Sequence, residues 1–363
     1  MSETLTRENA VLERYTKGAC EDTPNLCCPS SYPAHLLKLL PEEIIARDYG
    51  CGDPSRYVRP GDAVLDLGCG GGKMCYMAAF VAGANGKVIG VDMNDDMLSL
   101  ARKYQREMIE RLGGTQVSFK KCKIQDLVLD REELAQWLLE NPIQKMEDLQ
   151  RLEVWKAERR KSPAIQDQSI DLVMSNCVLN LVSREERKDL AKETFRVLKA
   201  GGRIAISDIV CSREVPQYLQ EDPELWSDCV SGASQVAELL GIFRSVGFVD
   251  LQLDQWSSQA WKVIDGIEFR SATLTATRPS QAPCLFLGHT VIYRGPFSEV
   301  RDDEDHIFPR GAAVSVCERT YQHMMTGSLG KDFIGIPAQE GDHATVTAVP
   351  GQLVAACKDT KCC

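Results

Sequence analysis

The sequence holds 15 cysteines but no Cys-x-x-Cys pair, only five histidines in 363 residues, and no apolar run approaching eighteen residues. The close thiol pairs are Cys27-Cys28 and Cys362-Cys363, so the spacing argues against a local structural zinc module. Any soft ion has to be gathered from distant segments. The missing long apolar run and the polar N-terminus predict neither a membrane span nor a signal peptide. A soluble, cytoplasmic chain is therefore expected, where thiols stay reduced rather than paired. Basic residues are in deficit, with a net charge of −10, which argues against nucleic acid or an anionic membrane as partner. HExxH, the P-loop and a Ser-His-Asp order are absent as well, leaving little ordinary acid-base machinery.

What is present is organised around residues 62–93. Ala63-Val64-Leu65 is an apolar run suited to a buried parallel strand, and Asp66-Leu67-Gly68-Cys69-Gly70-Gly71-Gly72-Lys73 follows it. Glycines there let the backbone turn sharply and approach a ligand closely. A second apolar run ends in Gly90-Val91-Asp92-Met93, whose Asp92 carboxylate suits a ribose diol. A dinucleotide would set its pyrophosphate at the helix N-terminus, where the anionic Asp66 opposes it. S-adenosylmethionine (SAM) has no phosphate and carries a sulfonium cation, which an acidic residue favours. The pattern selects SAM over NAD.

Between residues 61 and 208 strand and helix patterns alternate, predicting an α/β, doubly wound, mostly parallel sheet of Rossmann-like type. Strands are expected at 62–68, 87–92, 116–121, 170–176 and 202–208, with helices at 72–82, 95–112 and 184–199. Residues 130–161 interrupt this rhythm with apolar residues at helical spacing, Leu134 to Trp155. That pattern suggests an inserted helical pair over the sheet's ligand edge, mostly contributing to the core, with a lid role as the lesser alternative. Residues 1–60 form an N-terminal segment with a breaker-rich cysteine loop, and short helices are expected at 6–15 and 34–48. Residues 209–280 read as a helical cap over 215–247 with closing strands at 249–253 and 269–277. Residues 281–363 read as a small C-terminal α+β unit with a partly disordered tail.

Ligands of an open parallel sheet lie outside the carboxyl ends of its strands. Cys177 ends the fourth strand in Ser175-Asn176-Cys177-Val178-Leu179-Asn180-Leu181, Cys51 occupies Tyr49-Gly50-Cys51-Gly52 before the first strand, and Cys229 lies in the cap. Cys69 and Cys75 read as small packing residues on the glycine loop and its helix, and Cys122 and Cys211 lie near strand ends without a comparable setting. All five histidines fall outside this edge. A transferase without a clear general base suits a nucleophile that needs no deprotonation, such as the lone pair of a soft element. Three thiolates suit a trigonal ion bearing a lone pair.

These residues resemble the arsenite (As(III)) SAM methyltransferases. The similarity is carried by Tyr49 to Gly52, Asp66 to Gly72, Ser175 to Leu181, Asp208 in Ile206-Ser207-Asp208-Ile209 and Cys229 with Gly232, across residues 11–278. The resemblance implies a class I SAM methyltransferase that methylates As(III) for detoxification, with Cys51, Cys177 and Cys229 holding the arsenic. It places SAM against Asp66, Gly68, Cys69, Gly70, Gly72, Asp92, Met93 and Asn176, and against Ile124 and Gln125 by position. Cys27 and Cys28 match a further cysteine that handles thiol–disulfide exchange between rounds. Arsenite or a thiol-conjugated As(III) is the implied substrate, a thiol such as glutathione or thioredoxin the reductant, and a monomer the implied state. Three alternatives remain at this point. One is a SAM methyltransferase acting on an organic small molecule, another is a thiol-based As(III) or heavy-metal binding protein, and the last is an NAD-dependent enzyme that binds its cofactor despite Asp66.

Overall fold

The computed structural model describes residues 3–20, 32–47, 49–279, 285–326 and 328–338. Cys27, Cys28 and the C-terminal tail lie outside them. The chain divides into two compact units, 1–278 and 279–363.

In chain order the first unit begins with helices α1 (Glu3–Cys20), α2 (Ala34–Leu37) and α3 (Glu42–Ala46). It continues through β1 (Ala63–Leu67), α4 (Lys73–Ala82), β2 (Lys87–Asp92), α5 (Asp95–Lys103), α6 (Gln105–Arg111) and β3 (Gln116–Lys121). After the paired helices α7 (Arg131–Glu140) and α8 (Met146–Arg159) come β4 (Ile170–Asn176), α9 (Arg187–Val197) and β5 (Leu198–Cys211). The cap holds α10 (Gln217–Gln220), α11 (Pro223–Ser227) and α12 (Val236–Arg244), and β6 (Val249–Trp256), β7 (Lys262–Ile264) and β8 (Ile267–Thr277) close the unit.

The sheet order is β3-β2-β1-β4-β5-β8-β6, with β7 on β8. The first five strands are parallel, and β8 enters antiparallel against β5. Successive residues of β1 explain why its sequence is apolar on both sides. Val64 packs into one core cluster with Val88, Leu172 and Ala205, while Leu65 and Leu67 pack into the other with Val173 and Ile206. Helices cover both faces, so alternation in side-chain direction does not show as alternation in polarity. Phe243 on α12 is fully buried, with Phe248 edge-on at 5.6 Å between ring centres. Phe243→Ala is expected to lower the stability of this unit by about 3–5 kcal/mol, seen as a lower urea midpoint at unchanged slope.

Three expectations change. The cap is not one helical stretch: prolines begin α10 and α11, where Pro216 is the N-cap and Pro223 the first helical residue, and the Asp222 carboxylate accepts from the Glu224 and Leu225 N–H groups. The first helix runs well beyond residues 6–15. The inserted pair is not core. Of the apolar residues at helical spacing, Met146 and Leu149 are 69% and 43% exposed and Leu134, Trp137, Leu138, Leu152 and Trp155 are only half-buried, with the Trp137 and Trp155 rings tilted against each other at 5.7 Å. Helical periodicity shows that a helix has an apolar face but not what covers it.

In the second unit β9 (Thr290–Tyr293) lies between β12 (Ala313–Ser315) and β13 (Phe333–Ile336), beside the hairpin of β10 (Glu299–Arg301) and β11 (Ile307–Pro309). Helix α13 (Glu318–Thr326) packs on it, and Val291, Tyr293, Phe308, Met324 and Phe333 form its own core. Among the described residues no helix is long and apolar enough to cross a membrane.

Candidate active site

Strand order reverses between β1 and β4, where open α/β sheets form a crevice. Leu67 and Ser175 are in register there, so the glycine loop after β1 and the Asn176-Cys177 end of β4 leave the sheet side by side. A cavity opens at this point. Of the residues expected at the cofactor, Asp66, Gly68, Cys69, Gly70, Asp92, Met93, Ile124, Gln125 and Asn176 line it, as does Cys177. Gly72 does not line it; it adopts φ +86° as the N-cap of α4. Among the described residues, no member of the 130–161 insertion and no histidine belongs to the lining.

The loop is shaped for a close approach. Gly68 has φ +70°, and a Cβ there would lie 2.5 Å from a Val178 methyl. Its N–H and that of Cys69 both reach the Val91 carbonyl, at 2.8 and 3.0 Å. Asp92 is aimed by two backbone donors, Gly70 N–H at 2.8 Å and Asn94 N–H at 2.9 Å. Burial raises the Asp92 pKa from the ordinary carboxylate value, and these N–H groups act in the opposite direction. The Asp66 carboxylate is buried and accepts the Cys75 thiol at 3.2 Å. Two carboxylates with Met93, Met97 and Ile124 at the wall fit a cationic nucleoside with an apolar adenine, so SAM suits the residues present.

Sequence reasoning missed the role of α1. Arg7, Glu8, Leu12 and Tyr15 line the cavity from above. The helix is tied down on one side by Asn94, whose amide donates to the Thr16 hydroxyl at 2.9 Å, and by Lys123 on Glu8 at 2.7 Å. On the other side Arg14 pairs with Asp228 and donates to the Ser227 hydroxyl at 3.1 Å, next to Cys229. The amphipathic pattern of residues 6–15 was visible; nothing local indicates where its apolar face docks.

The three singled-out cysteines come together. Cys51, Cys177 and Cys229 share one buried cluster with Ile209, Val215 and Phe269, though they are far apart in sequence. Cys51 and Cys177 are joined by a disulfide, with Cα atoms 5.8 Å apart. The Cys229 thiol donates to the Cys177 carbonyl at 3.1 Å. The ligand atoms of Cys51, Cys177 and Asp208 lie within 4.8 Å of one another. Only Cys177 of the three lines the cofactor cavity, which makes it the junction of the two sites.

Local folding explains each placement. The Asn176 carbonyl oxygen accepts from Cys51 N–H at 2.9 Å and Gly52 N–H at 3.1 Å, and its amide donates to the Gly52 carbonyl at 2.9 Å. Asn176 thus lines the cavity while its side chain staples the Cys51 turn to β4. A Cβ on Gly50 would lie 2.2 Å from that amide and one on Gly52 2.5 Å from the Ser207 hydroxyl, so both neighbours of Cys51 must be glycine. Cys177 and Cys229 adopt φ +59° and +61°, a left-handed conformation rare outside glycine that persists where surroundings over-determine it. Three other buried thiols of this unit are held in the protonated form. Burial pushes Cys69 and Cys211 up to about 11 and Cys122 up to about 12.

A glycine loop at the switch point, carboxylates on β1 (Asp66) and at the end of β2 (Asp92), and an antiparallel final strand define a SAM-dependent methyltransferase. A methyltransferase-domain family model matches residues 59–152 and 143–247, and a domain family of unknown function matches residues 280–362. The chain belongs to the arsenite methyltransferase family. It is 31% identical to the arsenite methyltransferase of Aquipseudomonas alcaligenes, covering 86% of this chain and 84% of that protein, and 28% identical to the human arsenite methyltransferase, covering 85% and 76%. The crystal structure of an arsenic(III) SAM methyltransferase from Chlamydomonas reinhardtii superposes with a TM-score of 0.56 at 25% identity, covering 85% of this chain and 98% of that one.

Proposed function

We propose that this enzyme methylates trivalent arsenic held by Cys51, Cys177 and Cys229, using SAM as methyl donor. The observation that carries the proposal is the convergence of these three thiols beside the cofactor cavity, with Cys177 common to both. Trivalent arsenic bound by three thiolates exchanges its three hydroxyls for three sulfurs, releases three waters and keeps its lone pair. Bound SAM supplies an electrophilic methyl on a sulfonium, and Asp66 and Asp92 hold the cation and the ribose. The arsenic lone pair attacks the methyl carbon in line as the carbon–sulfonium bond breaks, and no proton moves in that step. The step therefore needs no general base.

Methylation takes the arsenic to the pentavalent level, so two electrons must come back before another round. Two equivalents of a thiol such as glutathione, or one of reduced thioredoxin, supply them and become disulfide. The same reductant opens the Cys51–Cys177 disulfide and readies the site for arsenic. Cys27 and Cys28, outside the described residues, are assigned the relay between reductant and site. Arsenite or its thiol conjugate is the substrate, and a cytoplasmic monomer is the form assigned.

Two outcomes are expected, of which the first separates this reading from the alternatives. Release of S-adenosylhomocysteine should depend on arsenite and continue over many turnovers, whereas a sequestering protein would take up arsenic stoichiometrically without consuming SAM. Asn176→Ala, which releases the Cys51 turn, should weaken arsenite binding about 10–100-fold, the usual effect of removing a group that orients a metal ligand. Equilibrium binding of arsenite measures it, and unchanged affinity would mean that the turn does not present a ligand.

A further inference from the structure

Beneath the thiols lies a buried polar network that the methylation chemistry does not use. Asp208, at the end of β5, is 1% exposed and accepts from Leu179 N–H at 2.8 Å and from the Asn180 side-chain amide at 2.8 Å. The same NH2 group donates its second hydrogen to the Ile209 carbonyl at 2.7 Å and shares one with the Cys229 carbonyl at 3.2 Å, two hydrogens serving three acceptors. Asn180 is itself 3% exposed and follows Cys177 by three residues in the same turn. One side chain therefore touches the strand end, the Cys177 turn and the Cys229 turn. A second contact closes the arrangement: a Cβ on Gly232 would lie 2.0 Å from the Asn180 carbonyl oxygen, so the two turns are in backbone contact. Arg187, 2% exposed, anchors the far side by donating to the Gly232 carbonyl at 2.6 Å and the Ser234 hydroxyl at 2.7 Å.

We propose that Asn180 is the positioning residue that sets the third sulfur of the arsenic site, by locking the Cys229 turn to the Cys177 turn through Asp208. The inference rests on the three-thiolate site proposed above and goes beyond it by naming what fixes the coordination number. Cys51 and Cys177 are already held close by β4 and the Asn176 staple. Cys229 arrives from the cap, on a residue with φ +61°. Such a backbone relaxes once its hydrogen bonds go, and the Cys229 carbonyl is bonded by Asn180. Arsenic held by Cys51 and Cys177 alone keeps a hydroxyl in place of the third sulfur and can pivot about its two remaining bonds, which spoils the in-line approach to the cofactor cavity.

The test is arsenic X-ray absorption on the reduced full-length enzyme loaded with one equivalent of arsenite, alongside steady-state kinetics. The wild type should show three As–S bonds. Asn180→Ala should show two, with kcat/KM for arsenite lowered about 10–100-fold and SAM affinity unchanged. A merely structural loss would not change the sulfur count. Thr194→Ala, which deletes a buried hydroxyl that donates to the Leu190 carbonyl at 2.9 Å on α9, is the destabilised control and should keep three. Should Asn180→Ala not fold, Gly232→Ala pushes the turns apart with the amide intact and should give the same two-sulfur spectrum. Three sulfurs and unchanged kcat/KM in the variant, with three in the wild type, overturn the role of Asn180 alone. Two sulfurs in the wild type overturn the three-thiolate site as well.

Discussion

Replacing Cys177 by serine is expected to abolish As(III) methylation while SAM affinity stays within about twofold, a change under about 0.5 kcal/mol. Serine keeps the volume and the backbone hydrogen bond from residue 177 to the Ser207 carbonyl, 2.8 Å in the wild type. Of the three proposed arsenic ligands, it removes the sulfur that lines the cofactor cavity. A hard hydroxyl does not replace a soft thiolate on arsenic. Cys51 and Cys229 remain, so the variant should still take up arsenite weakly, and binding without turnover is the expected signature. Isothermal titration with S-adenosylhomocysteine and a coupled turnover assay measure the two halves. Cys51 and Cys229 share the buried cluster with Cys177, and their serine variants should fail in the same way. Retained turnover in both the Cys177 and Cys229 variants would remove the thiols from the mechanism.

Gly68→Ala is the second large effect. Alanine pays about 1 kcal/mol to sit at φ +70°. Its methyl would also sit 2.5 and 2.6 Å from the two Val178 methyls. The loop is pinned to the Val91 carbonyl and cannot simply lift, so Val178 has to move. Val178 adjoins Cys177, and the displacement reaches both sites. SAM affinity is expected to fall at least about 100-fold, equivalent to about 2.7 kcal/mol, and methylation to be lost with it. The pair Gly68→Ala with Val178→Ala should recover part of the affinity, because the second change deletes the clashing methyls. Independent, additive effects of the two substitutions in calorimetric titration would show that the contact does not govern the loop.

The parallel sheet was legible because β1, β2 and β4 are short apolar runs closed by turn residues and buried on both faces, while the edge strand β3 shows as an alternation of Val117 and Phe119 with polar residues. Asp66, Gly68 and Asp92 were legible for a similar reason: backbone geometry and a ribose diol restrict the residue types at fixed spacing. The thiols were legible as a set only because Cys51 and Cys177 sit in unusual local contexts, glycine-flanked or at a strand end. Asn180 and Arg187 were not. Their role depends on the Cys229 turn coming from a distant segment, and a buried asparagine in an apolar stretch looks locally like a capping or turn residue. The cover provided by α1 was hidden for the same reason, since Arg14 finds Asp228 across 214 positions. The exposed stripe of α7 and α8 shows the converse, where a pattern was read correctly as helical and wrongly as core.

Single-turnover methylation with SAM carrying a trideuterated methyl tests the central claim most directly. Reduced enzyme, arsenite and labelled SAM are mixed, quenched and analysed by mass spectrometry for arsenic species. One trideuteromethyl arsenical is expected for each S-adenosylhomocysteine formed, with none from Cys177→Ser under the same conditions. S-adenosylhomocysteine without a labelled arsenical, or an equal yield from Cys177→Ser, would contradict methyl transfer to thiolate-held arsenic.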